Sequence, residues 1–306
     1  MTILKTTNLV KKYKDKFAVN QVSLTVEKGD IFGLIGQNGA GKTTFMRMIM
    51  GLTSPDSGDI QLFGETDKKR IALTRGRTGS VIETPALFEN MTGEQNLEYF
   101  RIQQGIPDKR RVHECLEIVE LLPSETGRKK VRNYSLGMKQ RLGLALAILK
   151  RPDFLILDEP TNGLDPTGII KMRDLIARLS AEGISLLISS HILSELAQVA
   201  NKYAIIHQGE LIKSLTREEL LFECKSALNV VVDDMAKAVF TLETTLGITN
   251  YRHISDHHLH IYDVANNPAE VAAQLVQAGV RLSALHEIGD TLETYYIKII
   301  RGDASC

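Results

Sequence analysis

The sequence predicts an α/β fold built on a parallel sheet, with a small α+β domain after it. Three observations support this prediction. Short apolar runs typical of strands alternate with helical segments up to about residue 220, which is the pattern of a parallel sheet covered by helices. Residues 92–150 are mostly helical and interrupt that alternation. Residues 221–306 show a β-α-β-β-α-β-like order, which is typical of a small ferredoxin-like domain.

The elements of the first domain follow from hydrophobic periodicity. The stretch QVSLTVEKGD alternates like a half-buried strand, and IFGLIG is a short apolar run that ends in glycine. From Lys42 the periodicity is helical, and Gly51 and Pro55 close that helix. Further strands are predicted in DIQLFG, TGSVIE, DFLILDEP, SLLISSH and YAIIHQGELI, and further helices in GEQNLEYFRI, RRVHECLEIVELL, LGMKQRLGLALAIL, GIIKMRDLIARLSAEG and ILSELAQVAN.

The second domain is predicted from the same patterns. Its strands lie in ALNVVVDD, NYRHIS, HHLHIYDV and VRLSALHE, and its helices in MAKAVFTLETTLG, NPAEVAAQLVQAG and DTLETYYIKII. No repeat and no low-complexity linker separates the two domains.

Composition excludes several classes of protein. The chain has 37 basic and 37 acidic residues, and this zero net charge argues against a nucleic-acid-binding protein, which usually carries a basic excess. No stretch approaches the roughly 18 apolar residues that a membrane span needs. The first residues lack the apolar core and cleavage site of a signal peptide, so we expect a cytoplasmic location.

The stretch GQNGAGKTT predicts a phosphate-binding loop. It fits the pattern G-x-x-x-x-G-K-[ST] and lies between a predicted strand and a predicted helix. Glycines let backbone N–H groups wrap an anion, and the helix N-terminus adds partial positive charge. The lysine reaches the terminal phosphates, and the hydroxyl after it is a ligand for Mg²⁺. A glycine-rich turn with a chance lysine is the alternative, which this setting disfavours. The predicted nucleotide-binding residues are Gly36, Gln37, Asn38, Gly39, Ala40, Gly41, Lys42, Thr43 and Thr44.

A second motif, FLILDEP, presents two carboxylates at the end of a buried strand. Ligands of open α/β sheets lie at that edge. Asp158 is placed to hold Mg²⁺, and Glu159 is placed to activate the water that attacks the γ-phosphate. A plain loop start is the alternative, but two independent motifs agree on phosphate chemistry.

The order of the phosphate loop, SLGMKQR, ILDEPTNGLD and SSH resembles the ATP-binding subunit of ABC transporters. The resemblance covers residues 1 to about 220, a span that would be the ATP-binding domain. It implies a P-loop NTPase fold with an antiparallel β subdomain and a helical subdomain at about 92–150, and ATP and Mg²⁺ as cofactors. Residues 221–306 would be an accessory domain.

The resemblance also assigns the stretch YSLGMKQ to the family signature. Ser135 and Gly137 match that signature, whereas Leu136 and Met138 replace its glycine and glutamine. The family implies that two subunits dock head to tail, and that each signature caps the γ-phosphate bound by the other subunit. A serine hydroxyl at a helix N-terminus is a reasonable anion site.

Four more residues receive roles from the resemblance alone. Asp165 resembles the acid of the D-loop, His191 the switch histidine on the γ-phosphate, and Tyr13 the aromatic that stacks on adenine. Glu83 stands where the family usually has glutamine, and a carboxylate there is a further Mg²⁺ ligand. An ordinary charge at a strand end is the alternative for Glu83.

The variant around Glu83, with SLGMKQRLG and ISSHILSE, resembles a narrower group, the ATPase subunits of bacitracin-type and lantibiotic-immunity exporters. That group implies a homodimer or a paired ATPase subunit, an integral-membrane permease as partner, no nucleic acid, and a peripheral location on the cytoplasmic face of the membrane. The alternative is a soluble ABC ATPase acting on a cytoplasmic assembly. A kinase or GTPase lacks the signature and the switch histidine.

Two other residue groups predict no site. Cys115, Cys224 and Cys306 are widely spaced, which gives neither a disulfide framework nor a metal pattern. The histidines of HISDHHLHIYD are expected in a solvated hairpin, and His258 and His260 alone are a poor metal site.

Overall fold

The computed structural model divides into two compact units, Met1–Arg217 and Glu218–Cys306. The residues that the structure describes are 1–126, 129–224, 227–262, 268–288 and 292–301.

The first unit contains two sheets. Its strands are β1 (Thr2–Tyr13), β2 (Lys16–Glu27), β3 (Ile31–Ile35), β4 (Ser57–Leu62), β5 (Thr78–Val81), β6 (Phe154–Leu157), β7 (Ser185–Ser190), β8 (Lys202–His207) and β9 (Glu210–Thr216). The larger sheet has the order β5-β6-β7-β3-β8-β9, and only its β8–β9 pair is antiparallel. The smaller sheet, β2-β1-β4, is antiparallel throughout, as the resemblance implies.

Helices of the first unit cover the parallel sheet and form the predicted helical block. They are α1 (Lys42–Ile49), α2 (Lys68–Thr74), α3 (Gly93–Gln103), α4 (Arg110–Ile118), α5 (Pro123–Thr126), α6 (Leu136–Ala147), α7 (Pro166–Ala181) and α8 (Leu193–Ala197). Thr92 and Gln95 form a capping box at the start of α3, which explains why that helix begins there.

The helical block is joined by arginines that reach the carbonyl ends of its helices. Arg111 of α4 donates to the carbonyl oxygens of Ile148 and Leu149, just beyond α6. In return Arg141 of α6 donates to the carbonyl oxygens of Val119 and Glu120, just beyond α4. Such charged donors satisfy the last carbonyls of a helix. The two helices are therefore cross-linked in both directions.

Three local predictions differ from the structure. Helix α4 ends at Ile118, earlier than the predicted segment, because Glu120 adopts a left-handed backbone with φ of 55°. Helix α8 has five residues rather than ten, since Asn201 leaves the helix to exchange hydrogen bonds with Ile31 at the start of β3. Third, no element was predicted for the stretches that form strand β1, helix α2 and the helix Arg217–Glu223.

The second unit has the predicted order of strands and helices. Its elements are α9 (Arg217–Glu223), β10 (Ala227–Val232), α10 (Met235–Thr245), β11 (Tyr251–Ser255), β12 (His258–Ile261), α11 (Pro268–Gln277), β13 (Leu282–Ile288) and α12 (Leu292–Arg301). The sheet has the order β11-β12-β10-β13 with antiparallel neighbours. An apolar core between the sheet and helices α10 and α11 includes Val230, Leu242 and Leu275.

The cysteines and histidines that were singled out in the sequence lie in both units of the chain. Cys115 and Cys224 are buried, and burial raises the pKa of the Cys115 thiol to about 11. Cys306 lies outside the described residues. Within the described part of the chain, no three His, Cys, Asp or Glu side chains are grouped as metal ligands, His258 and His260 included.

Leu34 of β3 tests the packing beneath the phosphate loop. It is fully buried in the core between the two sheets, whereas Leu73 of α2 is 80% exposed. We expect Leu34→Ala to lower the free energy of unfolding by about 2–5 kcal/mol, because it leaves a cavity. Leu73→Ala should change it by less than about 0.5 kcal/mol. Denaturant unfolding followed by circular dichroism measures both, and equal stabilities would contradict the predicted packing.

Candidate nucleotide site

The phosphate loop joins the end of β3 to the start of α1. Its backbone needs glycine at two positions. At Gly41, φ is 108°, and a Cβ would lie 2.1 Å from the carbonyl oxygen of Ala18. At Gly36, a Cβ would lie 2.5 Å from the carbonyl oxygen of Ile206. Strands β2 and β8 thus hold the loop so closely that no larger side chain fits.

The first turn of helix α1 presents unpaired backbone N–H groups to the phosphate loop. Lys42, Thr43 and Thr44 form its first turn, where backbone N–H groups have no partner within the helix. No side chain caps this end, and no acidic residue lies in the first turn. The helix dipole adds partial positive charge at the same place. The arrangement therefore fits a phosphate group.

Lys42 is buried, with 5% of its side chain exposed. Its ammonium donates to the carbonyl oxygen of Gly36 at 2.5 Å and lies 3.0 Å from Oε1 of Glu159. A cation so enclosed is costly without partners. These two contacts fix its position between the phosphate loop and the end of β6.

Asp158 connects three elements of the site. Its Oδ2 accepts a hydrogen bond from the Thr43 hydroxyl at 2.7 Å, and its Oδ1 accepts one from the Ser189 hydroxyl at 2.6 Å. Carboxylate and hydroxyl oxygens are the hard ligands that Mg²⁺ prefers, so Thr43 and Asp158 fit this ion. Ser189, at the end of β7, was missed by sequence reasoning. The stretch SSH at the carboxyl edge of the sheet was the available signal.

Glu159 adopts a strained backbone, which is typical of functional residues. Its φ is 48°, in the left-handed region that few residues other than glycine adopt. Its N–H donates to the Ser189 hydroxyl at 2.8 Å, which holds this conformation. Its Oε2 lies 2.8 Å from Nδ1 of His191, and its Oε1 faces Lys42. The structure thus brings the predicted base, the switch histidine and the phosphate-loop lysine together.

The signature residues lie apart from this cluster. Ser135 caps α6, and its Oγ accepts a hydrogen bond from the N–H of Met138 at 3.3 Å. In the described part of the chain, no hydrogen bond or ion pair joins residues 135–138 to residues 36–44. Asp165 is likewise exposed and caps α7 by accepting from the N–H of Gly168 at 3.0 Å.

Two predicted site residues have other partners. Glu83 is 56% exposed and forms an ion pair with Arg47 of α1 at 2.7 Å, rather than approaching Thr43 or Asp158. Its φ of 61° is left-handed. Tyr13 ends β1, is half exposed, and has the Lys11 ammonium 5.5 Å from its ring centroid. Their roles toward Mg²⁺ and adenine stay predictions.

Comparisons with known proteins agree with this geometry. A model of the ABC transporter family matches residues 19–162. The bacitracin transport ATP-binding protein BcrA of Bacillus licheniformis is 41% identical over 98% of this chain and 98% of that protein. The protein of the same name from Enterococcus faecalis is 38% identical over 98% of this chain and 97% of that protein. The lantibiotic transport ATP-binding protein SrtF of Streptococcus pyogenes is 39% identical over 69% of this chain and 89% of that protein.

Solved structures confirm the predicted fold class. The ATP-binding subunit of an ABC transporter is 28% identical, with a TM-score of 0.64 over 72% of this chain and 92% of that chain. The ADP conformation of MJ1267, an ATP-binding cassette of an ABC transporter, is 26% identical, with a TM-score of 0.65 over 73% of this chain and 94% of that chain. The chain therefore belongs to the ATP-binding proteins of ABC transporters and is an ATP-hydrolysing enzyme of that family.

Proposed function

We propose that two copies of the chain, or this chain and a paired ATPase subunit, close around two ATP molecules and drive a separate integral-membrane permease. The observation that carries the proposal is the position of the signature. Ser135 is exposed at the N-terminus of α6, without a contact to the phosphate loop of its own chain. A helix N-terminus with an exposed serine hydroxyl is suited to a phosphate group from another subunit.

Within each site, the contacts of the side chains support the following proposed roles. The Glu159 carboxylate accepts the proton of the attacking water, and His191, bonded to it at 2.8 Å, orients that carboxylate and contacts the γ-phosphate. Lys42 and the first turn of α1 hold the phosphates. Thr43 and Asp158 would hold Mg²⁺, which supplies charge neutralisation on the phosphate oxygens.

The arrangement in trans makes a prediction for Ser135→Arg. We expect hydrolysis to fall by about 100-fold or more, because a bulky cation replaces a donor to the partner's phosphate. ATP affinity should stay near that of the wild type, since the phosphate loop is untouched. ATP titration and steady-state hydrolysis measure the two effects. Ser57→Arg, an exposed serine on β4, is the control. A loss of ATP binding in Ser135→Arg would contradict the arrangement in trans.

An exposed aromatic surface on helix α3 and the segment before it supports a permease partner. The rings of Phe88 and Tyr99 meet edge to face at 4.7 Å, and Phe100 lies 5.8 Å from Phe88. Phe88 and Tyr99 are 40% and 44% exposed, and Ile102 is more exposed still. Clustered exposed apolar side chains mark interaction sites. We place the permease contact on this surface, and the chain on the cytoplasmic face of the membrane. In the described part of the chain, no helix could cross a bilayer.

The partner is tested by purifying a tagged chain from solubilised membranes and identifying what accompanies it. We expect a polytopic membrane protein in a roughly equal amount. Phe88→Ala together with Tyr99→Ala should reduce its recovery, whereas Phe240→Ala, an exposed phenylalanine on α10, should not. Recovery of a cytoplasmic assembly without a membrane protein would favour the alternative, a soluble ABC ATPase.

The cargo that we propose is a peptide antibiotic of the bacitracin or lantibiotic type. Support comes from the relatives, two of which are named for bacitracin transport and one for lantibiotic transport. A strain without this chain should be more sensitive to one of these antibiotics. Unchanged inhibitory concentrations for both would contradict the proposed cargo but not the transporter.

We further propose that residues 221–306 form a ferredoxin-like accessory domain.

A further inference from the structure

Leu136, within the signature, contacts the loop that carries Asp165. We infer that Leu136 is a positioning residue that couples the signature to this loop and, through it, to Glu159. The inference rests on the proposed function, in which the signature meets the ATP of the partner subunit. It adds that binding of the partner's ATP at the signature changes the position of Glu159 in the subunit that carries the signature.

The contact is close on both sides. A Cβ built on Gly163 would lie only 2.9 Å from Cδ2 of Leu136. A Cβ on Gly137 would lie 3.6 Å from Cδ2 of Leu164, so the loop also touches the next signature residue. Leu136 is 47% exposed, so about half of its side chain is covered. The residue that replaces the family's glycine thus packs against Gly163 of its own chain, and the neighbouring Gly137 lies beside Leu164.

The loop between Gly163 and Glu159 is short and hydrogen bonded. The N–H of Asn162 donates to the carbonyl oxygen of Glu159 at 3.1 Å, and the N–H of Leu164 donates to that of Thr161 at 3.2 Å. The Thr161 hydroxyl donates to Oε2 of Glu195 at 2.6 Å, which anchors the turn on α8. A displacement of Gly163 would therefore also shift Glu159, because hydrogen bonds hold the short turn between them.

Glu159 is sensitive to such a displacement. Its left-handed backbone depends on the bond from its N–H to Ser189, and its carboxylate must meet both Lys42 and His191. A base that is misplaced by a fraction of an ångström loses rate rather than substrate affinity. Truncation of Leu136 should therefore lower kcat with little effect on KM.

The first test is Leu136→Ala in the full chain. We expect kcat for ATP hydrolysis to fall by about tenfold, with the Kd for ATP unchanged within about twofold. Leu136→Met, which keeps the volume, should restore at least half of the wild-type kcat. Leu73→Ala on α2 is the control for loss of an exposed leucine. The thermal midpoints of all variants are compared, because a merely structural role would lower stability without a selective loss of kcat.

The second test is a double-mutant cycle with Gly163→Ala. Alone, this change places a methyl group against Leu136 and also strains a backbone with φ of 74°, so it should lower kcat by at least about tenfold. In the Leu136→Ala background the backbone strain remains but the contact is removed, so we expect the loss caused by Gly163→Ala to be smaller by at least about threefold. Purely additive effects, or a wild-type kcat in Leu136→Ala, would overturn the inference.

Failure of the inference and failure of the proposed function give different results. If Ser135→Arg loses hydrolysis and Leu136→Ala keeps it, only the coupling through Leu136 is wrong. If Ser135→Arg hydrolyses ATP like the wild type, the arrangement in trans is wrong, and the coupling falls with it.

Discussion

Glu159→Gln is expected to lower kcat for ATP hydrolysis by about 100- to 10,000-fold, the contribution of a general base. The amide keeps the shape of the carboxylate but cannot accept the proton of the attacking water. ATP affinity should be retained, because the phosphate loop and Thr43 are unchanged. Steady-state hydrolysis and ATP titration measure the two quantities.

The control for this prediction is Glu117→Gln on an exposed position of α4, which should match the wild type. A variant Glu159→Gln that hydrolyses ATP within about threefold of the wild-type rate would exclude Glu159 as the base. His191 would then be the next candidate, since it lies 2.8 Å from the same carboxylate.

Lys42→Ala is expected to weaken ATP binding by about 10- to 100-fold, since a charge-assisted hydrogen bond is worth about 1.5–3 kcal/mol. The ammonium is the one side-chain cation that the phosphate loop presents, and it is held there by Gly36 and Glu159. Isothermal titration with ATP measures the loss, and circular dichroism checks that the variant is folded.

Lys150→Ala, an exposed lysine after α6, is the matched control and should bind ATP normally. Equal affinities for Lys42→Ala and Lys150→Ala would mean that the backbone N–H groups alone hold the phosphates. The role assigned to the lysine would then be wrong.

The spacing of motifs in the sequence was sufficient to predict that the phosphate loop lies close to Asp158 and Glu159. The phosphate loop and the pair Asp158 and Glu159 are contiguous motifs, and each lies at the end of a buried strand. Parallel strands align their carboxyl ends, so β3 and β6 deliver both motifs to one edge of the sheet. The fold class followed from the same alternation of strands and helices.

Other contacts could not be predicted, because they join residues that are distant in the sequence. Ser189 reaches Asp158 between the ends of β6 and β7, and the stretch SSH places this serine at the edge of the sheet without identifying its partner. The ion pair of Glu83 with Arg47 likewise joins the segment after β5 to helix α1, which is distant in the sequence. Hydrophobic periodicity also predicted a longer helix α8 than the structure has, because the hydrogen bonds of Asn201 with Ile31 outweigh local helix propensity.

The reciprocal arginines of the helical block have a mechanical consequence. Arg111 and Arg141 tie each of α4 and α6 to the far end of the other, so these helices resist sliding past each other. Sliding would break four charge-assisted bonds at once. The two helices are therefore expected to move as one body, so that a displacement of α4 would carry Ser135, at the start of α6, with it.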